Sequence, residues 1–224
     1  MRLIERFISI YAPHICLGCE HETDALLCPS CTVALPNVAS RCYKCHAATR
    51  DFAVCETCKP STPLRHVYVA YSYSGLAKEL LHRAKYERAK SGLAEMASVM
   101  APLLQHVAVG TVLVPVPTAT KRARQRGYDQ AEVLAGHIAR QTNFRRMNLL
   151  ARLGQAHQVG SNRTARFEHI KGVFRVTRPA SAKGRTIILV DDVLTTGATL
   201  EEAAAMLKKA HAKRVDAIVF AQAG

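Results

Sequence analysis

The chain has 224 residues, 49% hydrophobic and 21% charged, which is ordinary for a globular protein and enough for one medium domain plus a small module. No run of about eighteen apolar residues occurs and the first twelve residues lack a signal-peptide core, so we expect a cytoplasmic protein that does not insert into a membrane. The net charge of +14 suits polyanionic partners such as nucleic acid or phosphorylated small molecules, and a basic surface that only aids solubility is the alternative.

All eight cysteines fall into four Cys-x-x-Cys pairs near the N-terminus, namely Cys16/Cys19, Cys28/Cys31, Cys42/Cys45 and Cys55/Cys58. Each tight turn can direct two thiolates at one ion, and two pairs complete a tetrahedral four-thiolate site, so the spacing predicts two structural zinc ions. Disulfides would require an oxidising compartment, which nothing in the sequence indicates. Pairing in sequence order closes the shortest loops, and a crossed pairing of outer with inner pairs stays open.

The cysteine-rich segment has few large apolar residues and therefore depends on metal to fold. The stretch from Pro60 to Pro63 separates it from the rest of the chain. We therefore predict a double zinc-ribbon module over residues 1–60 and a larger domain over residues 64–224.

Strands and helices alternate through the larger domain, as judged from β-forming runs and the helical spacing of apolar residues. Strands are predicted over residues 66–73, 111–117, 187–190 and 214–221, and helices over residues 75–90, 92–103, 130–141 and 200–210. Unbroken aliphatic runs are typical of parallel strands that are buried on both faces. We therefore predict an α/β fold with a doubly wound, mostly parallel sheet that binds ligands at the carboxyl ends of its strands.

Two acids, Asp191 and Asp192, follow the aliphatic run that ends at Val190, and a loop of small residues leads from them into a helix. The loop contains Thr195, Thr196, Gly197, Ala198 and Thr199. A helix N-terminus offers unpaired N–H groups, the glycine allows close approach and the hydroxyls add donors, so the loop is predicted to bind a phosphate. The carboxylates suit vicinal hydroxyls beside it, as on ribose 5-phosphate. A polar turn with an ordinary helix cap is the alternative.

A cluster of basic residues follows the other buried strand, within residues 118–130. It contains Lys121, Arg122, Arg124 and Arg126. Guanidinium groups bind pyrophosphate through paired hydrogen bonds, so we interpret Lys121, Arg122 and Arg126 as an anion-binding set. A solvated basic loop and a nucleic-acid contact are the alternatives.

The stretch from Ile187 to Thr199 resembles the phosphoribosyl-pyrophosphate (PRPP) motif of the type I phosphoribosyltransferases: an apolar strand, two acids, an apolar pair and Thr-Thr-Gly-x-Thr. The resemblance implies that Asp191 and Asp192 bind the ribose hydroxyls, directly or through Mg²⁺, while the threonine-rich loop binds the 5-phosphate. The basic loop then faces the pyrophosphate. In a catalytic domain a nitrogen nucleophile displaces pyrophosphate from C1, and the two acids are the catalytic residues that stabilise positive charge there.

Further segments resemble a narrower group, the ComF family of double zinc-ribbon, phosphoribosyltransferase-like proteins of bacterial competence. They are the four cysteine pairs, the segment with Arg122, Arg126, Gly127, Tyr128, Asp129 and Gln130, and the segment with Gln158, Arg166, His169 and Phe174. Tyr128, Asp129 and His169 stand where the family has Phe, Asn and Asn. The resemblance spans nearly the whole chain.

Membership implies a protein that binds PRPP, or another ribose-5-phosphate ligand, with Mg²⁺ and acts in DNA uptake during natural transformation, where it handles single-stranded DNA. Other DNA-uptake proteins, such as a helicase, are the expected partners. The alternative is an active enzyme of nucleotide metabolism, similar to the amidophosphoribosyltransferases, with an unidentified nitrogen acceptor.

Overall fold

A five-stranded parallel sheet runs through the structure, a computed structural model that describes residues 14–16, 18–24, 27–35, 38–86, 90–119, 124–125, 127–153 and 172–223. The strands in these ranges are β1 (His14–Ile15), β2 (Glu22–Thr23), β3 (Val67–Ser72), β4 (Val112–Pro115), β5 (Arg145–Arg146), β6 (Leu150–Arg152), β7 (Phe174–Val176), β8 (Thr186–Leu194) and β9 (Arg214–Gln222). The sheet has the order β3-β9-β8-β4-β5, and each neighbouring pair is parallel. The predicted parallel sheet is therefore confirmed.

Helices cover both faces of this sheet. They are α1 (Pro29–Ala34), α2 (Gly75–Tyr86), α3 (Lys90–Met100), α4 (Gln130–Thr142), α5 (Pro179–Ala182) and α6 (Ala198–Lys209). Helices α2, α3 and α4 pack with Ile188 and Phe220 on one face, whereas α6 packs with Leu189 and Val219 on the other. The doubly wound arrangement is confirmed. Among the helices in the ranges given above, none has the length and apolar character needed to cross a bilayer.

Strand β8 is longer than the aliphatic run that predicted it. The sequence placed Asp191 and Asp192 just beyond the strand, but the strand includes both and ends at Leu194. The reason is its neighbour β9, because Leu194 still pairs with Gln222 in the parallel register of the two strands. Backbone pairing, which hydropathy does not report, therefore carries the strand past its apolar part.

The cysteine-rich segment is attached to β3, the outer strand of the sheet. Ala53 forms an antiparallel bridge with His66, and the Val54 N–H donates to the Arg65 carbonyl at 2.8 Å. Cys16 belongs to the hydrophobic cluster on the α2–α4 face, and Cys42 belongs to the cluster on the α6 face. The two halves of this segment therefore pack on opposite faces of the sheet. The division at residues 60–64 stays a prediction.

A buried carboxylate, Asp216, joins the starts of β3 and β9. Its side chain is 1% exposed and accepts hydrogen bonds from Arg214 Nε, at 2.8 and 3.0 Å to its two oxygens, and from the His66 backbone N–H, at 3.0 Å. A buried charge is tolerated when it is paired and hydrogen-bonded in this way. The carboxylate therefore fixes the relative position of the two strands at the end opposite the acids of β8.

We predict that Asp216→Ala lowers the free energy of unfolding by about 2 kcal/mol, because the half-buried His66 N–H and the Arg214 guanidinium lose their shared acceptor. Urea denaturation followed by circular dichroism measures the change. Glu56→Ala is the control, since this acid is 87% exposed in an i,i+3 ion pair with Lys59, and its loss should cost less than about 1 kcal/mol. Equal midpoints for the two variants would contradict the proposed role of Asp216.

Candidate functional site

The eight cysteines form two separate groups in the structure. The first group is Cys16, Cys19, Cys28 and Cys31, and the second group is Cys42, Cys45, Cys55 and Cys58. Within each group the four Sγ atoms all lie within 4.8 Å of one another. Of the two pairings that the sequence left open, the structure has the one in sequence order. Four thiolates at this spacing are the donor set of a tetrahedral structural zinc site, so each group could hold one zinc ion.

Backbone N–H groups prepare one thiol of the first group for metal binding. Burial raises the pKa of Cys16, but hydrogen bonds from the N–H groups of Cys28, Cys19 and Gly18 outweigh it and lower this pKa to about 6. The pKa of Cys31 is raised to about 12, chiefly because its thiol donates to Cys16 and Cys28. Zinc must displace that proton, so zinc affinity should increase with pH. A Cβ on Gly18 would lie 2.6 Å from Cys31 Sγ, so this turn requires glycine.

The second group repeats this electrostatic pattern. Burial raises the pKa of Cys42, but backbone N–H donors from Cys55, Cys45 and Lys44 reverse the effect and lower it to about 7. Burial and hydrogen bonds to Cys45 and Cys55 raise the pKa of Cys58 to about 12. Each group thus has one thiol whose pKa is lowered and one whose pKa is raised.

The two acids lie where the regular alternation of β8 ends. Ile188 and Val190 pack on the α2–α4 face, but beyond the acids it is Val193 that packs there and Leu194 that packs on the α6 face. The side-chain alternation therefore shifts by one position across Asp191 and Asp192. Even-numbered residues face α2–α4 before the acids, and an odd-numbered residue does so after them. Asp192 is 9% exposed, and Asp191 is half-buried and accepts the Asp192 N–H through Oδ1 at 2.8 Å. The carboxylates thus stand at an irregular point near the carboxyl end of the central strand.

The predicted phosphate loop runs from this strand directly into α6. Gly197 has φ of +83°, in the left-handed region that favours glycine, and it caps the helix that begins at Ala198. Thr195 is exposed, Thr196 and Thr199 are half-buried, and Thr196 Oγ1 accepts the Ala198 N–H at 3.4 Å. The first turn of α6 therefore begins four residues after the end of β8, and its N–H groups lie at the carboxyl edge of the sheet.

The basic loop begins beside the acids. Strand β4 pairs in parallel with β8, with Pro115 opposite Val190 and the Val116 N–H donating to the Val190 carbonyl at 3.0 Å. Asp129 closes the base of the loop, because it accepts the Thr118 N–H at 2.8 Å and also caps α4. Lys121, Arg122 and Arg126 themselves lie outside the described residues, so their contact with an anion stays a prediction.

Of the four positions in the last segment that resembles the ComF family, the structure describes one. Gln158, Arg166 and His169 lie outside the described residues. Phe174 is buried in β7, and the Arg152 guanidinium of β6 lies 5.4 Å from the centre of its ring. Strands β6 and β7 form an antiparallel pair in which Arg152 lies opposite Phe174.

The sequence did not reveal that the turn between Cys42 and Cys45 contacts the helix that follows the phosphate loop. Tyr43, which follows Cys42, places its hydroxyl 2.5 Å from Glu201 Oε1 in the first turn of α6. Burial and the neighbouring Glu201 raise the pKa of Tyr43 far above its ordinary value, so the phenol keeps its proton. No local signal could have identified this pair, since the two positions are 158 residues apart in the sequence.

Comparison with known proteins agrees with this geometry. Residues 99–224 match the family described as phosphoribosyl transferase domain. Competence protein ComFC from Bacillus subtilis is 30% identical over 213 residues, which cover 92% of this chain and 83% of that protein. DNA utilization protein YhgH from Escherichia coli is 30% identical over 217 residues, 90% of this chain and 87% of that protein.

Among solved structures, glutamine phosphoribosylpyrophosphate amidotransferase from Bacillus subtilis matches 58% of this chain and 26% of its own, with a TM-score of 0.42 and 17% identity. A likeness at that level adds nothing to the assignment. The matched domain and the strand–loop–helix site define a protein of the type I phosphoribosyltransferase class. Its two four-cysteine groups and its relatives narrow the assignment further, and the chain belongs to the ComF family.

We predict that the protein holds two zinc ions, to be counted by native mass spectrometry and elemental analysis. The double variant Cys19→Ser/Cys28→Ser removes two thiolates from the first group, so it should retain one zinc ion. The double variant Cys19→Ser/Cys45→Ser weakens both groups and should retain none, because a neutral serine hydroxyl is a poor zinc ligand. Loss of both ions from the first variant would indicate crossed pairing.

Proposed function

We propose that this protein binds PRPP, or another ribose-5-phosphate ligand, at the carboxyl end of β8 and acts in DNA uptake. The observation that carries the proposal is the direct passage from two acids in the central strand to a glycine-capped helix N-terminus. The N–H groups of the first turn of α6 and the threonine hydroxyls there suit the 5-phosphate. Asp191 and Asp192 suit the ribose hydroxyls.

The pyrophosphate end of the ligand is assigned to the basic loop. Parallel pairing of β4 with β8 starts that loop next to Asp191, which places its base within the same edge of the sheet. Lys121, Arg122 and Arg126 belong to it by sequence. Arginine forks and a lysine bind pyrophosphate oxygens through charged hydrogen bonds. One ligand with an anionic group at each end therefore fits two neighbouring loops.

Mg²⁺ is the proposed metal of this site. Its usual environment is one or two carboxylates completed by phosphate oxygens and water, and Asp191 with Asp192 supplies two carboxylates at the strand end. When bound, the ion would neutralise charge on the pyrophosphate and ribose oxygens. Asp191 and Asp192 would hold it together with the ligand.

Single-stranded DNA is the proposed macromolecular ligand. The net charge of +14 supports binding to a polyanion, and the relatives are named for competence and for DNA utilization. DNA-uptake proteins such as a helicase are proposed as partners on the same ground. The transferase alternative uses the same acids and predicts acceptor-dependent release of pyrophosphate from PRPP.

We predict that Asp191→Asn weakens PRPP binding by about tenfold or more, because the amide loses the charge that strengthens hydrogen bonds to hydroxyls and to Mg²⁺. Calorimetric titration with PRPP, with and without Mg²⁺, measures it. Asp51→Asn is the matched control, since Asp51 is exposed and has φ of +50°, which asparagine tolerates. Absence of binding by the wild type would refute the proposal.

A transformation assay with the same variant distinguishes a protein that needs its ligand site from one that only binds DNA. If the ligand site is required, Asp191→Asn should fail to restore DNA uptake in a competent host that lacks its own homologue. If the protein only binds DNA, the variant should restore uptake fully.

We further predict that affinity for single-stranded DNA falls by more than about tenfold between 50 and 200 mM salt, because bound cationic side chains release counterions from phosphates. A mobility-shift series over that salt range measures the slope. A flat salt dependence would mean that the basic charge serves another purpose.

A further inference from the structure

The turn between Cys42 and Cys45 lies behind the predicted phosphate loop. Tyr43 in this turn is 5% exposed, and a Cβ added to Gly197 would lie 2.9 Å from its Cε2 atom. Glycine is thus required at position 197 both by its left-handed backbone and by the tyrosine ring. The Tyr43 ring therefore packs directly against the backbone of the loop at Gly197.

The Tyr43 hydroxyl connects the turn to α6. It lies 2.5 Å from Glu201 Oε1 and 2.7 Å from Thr62 Oγ1, and Thr62 is 6% exposed. A carboxylate only accepts hydrogen bonds, so Tyr43 donates its single proton to Glu201 and Thr62 donates to Tyr43. Two successive hydrogen bonds therefore link Thr62, which follows the last cysteine, through Tyr43 to Glu201 in the first turn of α6.

Lys44, the next residue, compensates the charge of the same carboxylate. Its Nζ lies 3.2 Å from Glu201 Oε1 and donates to the Ser61 carbonyl at 2.9 Å. The Glu201 N–H donates to the Gly197 carbonyl, so the acid belongs to the turn that would face a phosphate. An uncompensated carboxylate there would repel that phosphate. Tyr43 and Lys44 hold it on the cysteine side of the helix.

The turn is also bonded to β9, the neighbour of the strand that leads into the loop. Gln222 Nε2 donates to the Tyr43 carbonyl at 3.1 Å, and Gln222 is the partner of Leu194 at the end of β8. The turn between Cys42 and Cys45 therefore contacts the end of β9, beside the last residue of β8, and also the first turn of α6.

We propose that the second cysteine group positions the loop from Thr195 to Thr199, with Tyr43 as the positioning residue, so that affinity for a phosphorylated ligand depends on zinc in this group. The ligand part of this inference rests on the proposed function. The first group packs on the opposite face of the sheet, with α2 and α3, so its zinc should not affect the loop. Ligand binding should in turn slow zinc loss from the second group, because coupling is reciprocal.

Cys45→Ser and Cys19→Ser form a matched pair for the test. Both cysteines are exposed, and each Sγ lies close to a cysteine of its own group, 3.5 Å from Cys55 and 3.7 Å from Cys28 respectively. Each variant should lose one zinc ion. Calorimetry with PRPP and Mg²⁺ should show about a fivefold or greater loss of affinity for Cys45→Ser and less than about a twofold change for Cys19→Ser.

Tyr43→Phe tests the hydrogen bond while it keeps all eight cysteines and the aromatic ring. It should retain two zinc ions and bind PRPP about threefold or more weakly, because Glu201 loses its phenol donor. Adding Glu201→Gln should recover part of the loss, since the neutral amide does not repel the phosphate. Such non-additivity is expected only of side chains that act on one another.

Hydrogen exchange without ligand reports on the loop alone. Amides from Leu194 to Glu201 should exchange faster in Cys45→Ser and Tyr43→Phe than in the wild type and in Cys19→Ser. If the wild type binds PRPP and all variants bind and exchange like it, the positioning role is wrong and the proposed function stands. If the wild type does not bind PRPP, the proposed function and the zinc dependence of affinity both fail, and exchange alone decides whether Tyr43 positions the loop.

Discussion

The central strands β8 and β9 are apolar on both faces, and the need to cover both faces governs the arrangement of the chain. Ile187 to Val190 are completely buried, which requires a packing layer on each side. Helices α2, α3 and α4 supply one layer together with Cys16, and α6 supplies the other together with Cys42. The cysteine groups are therefore part of the packing of the sheet as well as places where metal could bind.

Hydrophobic pattern and residue spacing were sufficient to predict the alternation of strands and helices. The aliphatic runs at residues 111–117 and 187–190 became β4 and the first part of β8, because burial on both faces leaves a plain signal in the sequence. The length of β8 could not be predicted, since Leu194 stays in the strand through its pairing with Gln222. The end of a strand depends on a neighbour that hydropathy does not identify.

The part of the candidate site that lies in one continuous stretch of sequence was predictable. The order of acids, threonines and glycine lies in one stretch, so its position at a helix N-terminus followed from the sequence. The contact of Tyr43 with Glu201 depends on how the cysteine segment folds over the sheet, and no short pattern encodes that. The roles of Asp191 and Asp192 toward a ligand stay predictions, because hydroxyl and metal contacts are properties of a complex.

The bridge between Ala53 and His66 has a consequence for solubility. Strand β3 is the last strand of the sheet on its side, and an uncovered strand edge can pair with the edge of another molecule and start aggregation. Residues 52–54 cover the start of this edge, because the Val54 N–H donates to the Arg65 carbonyl and the Val67 N–H donates to the Phe52 carbonyl. The residues between two of the candidate zinc ligands, Cys45 and Cys55, thus shield the start of this edge from pairing with another molecule.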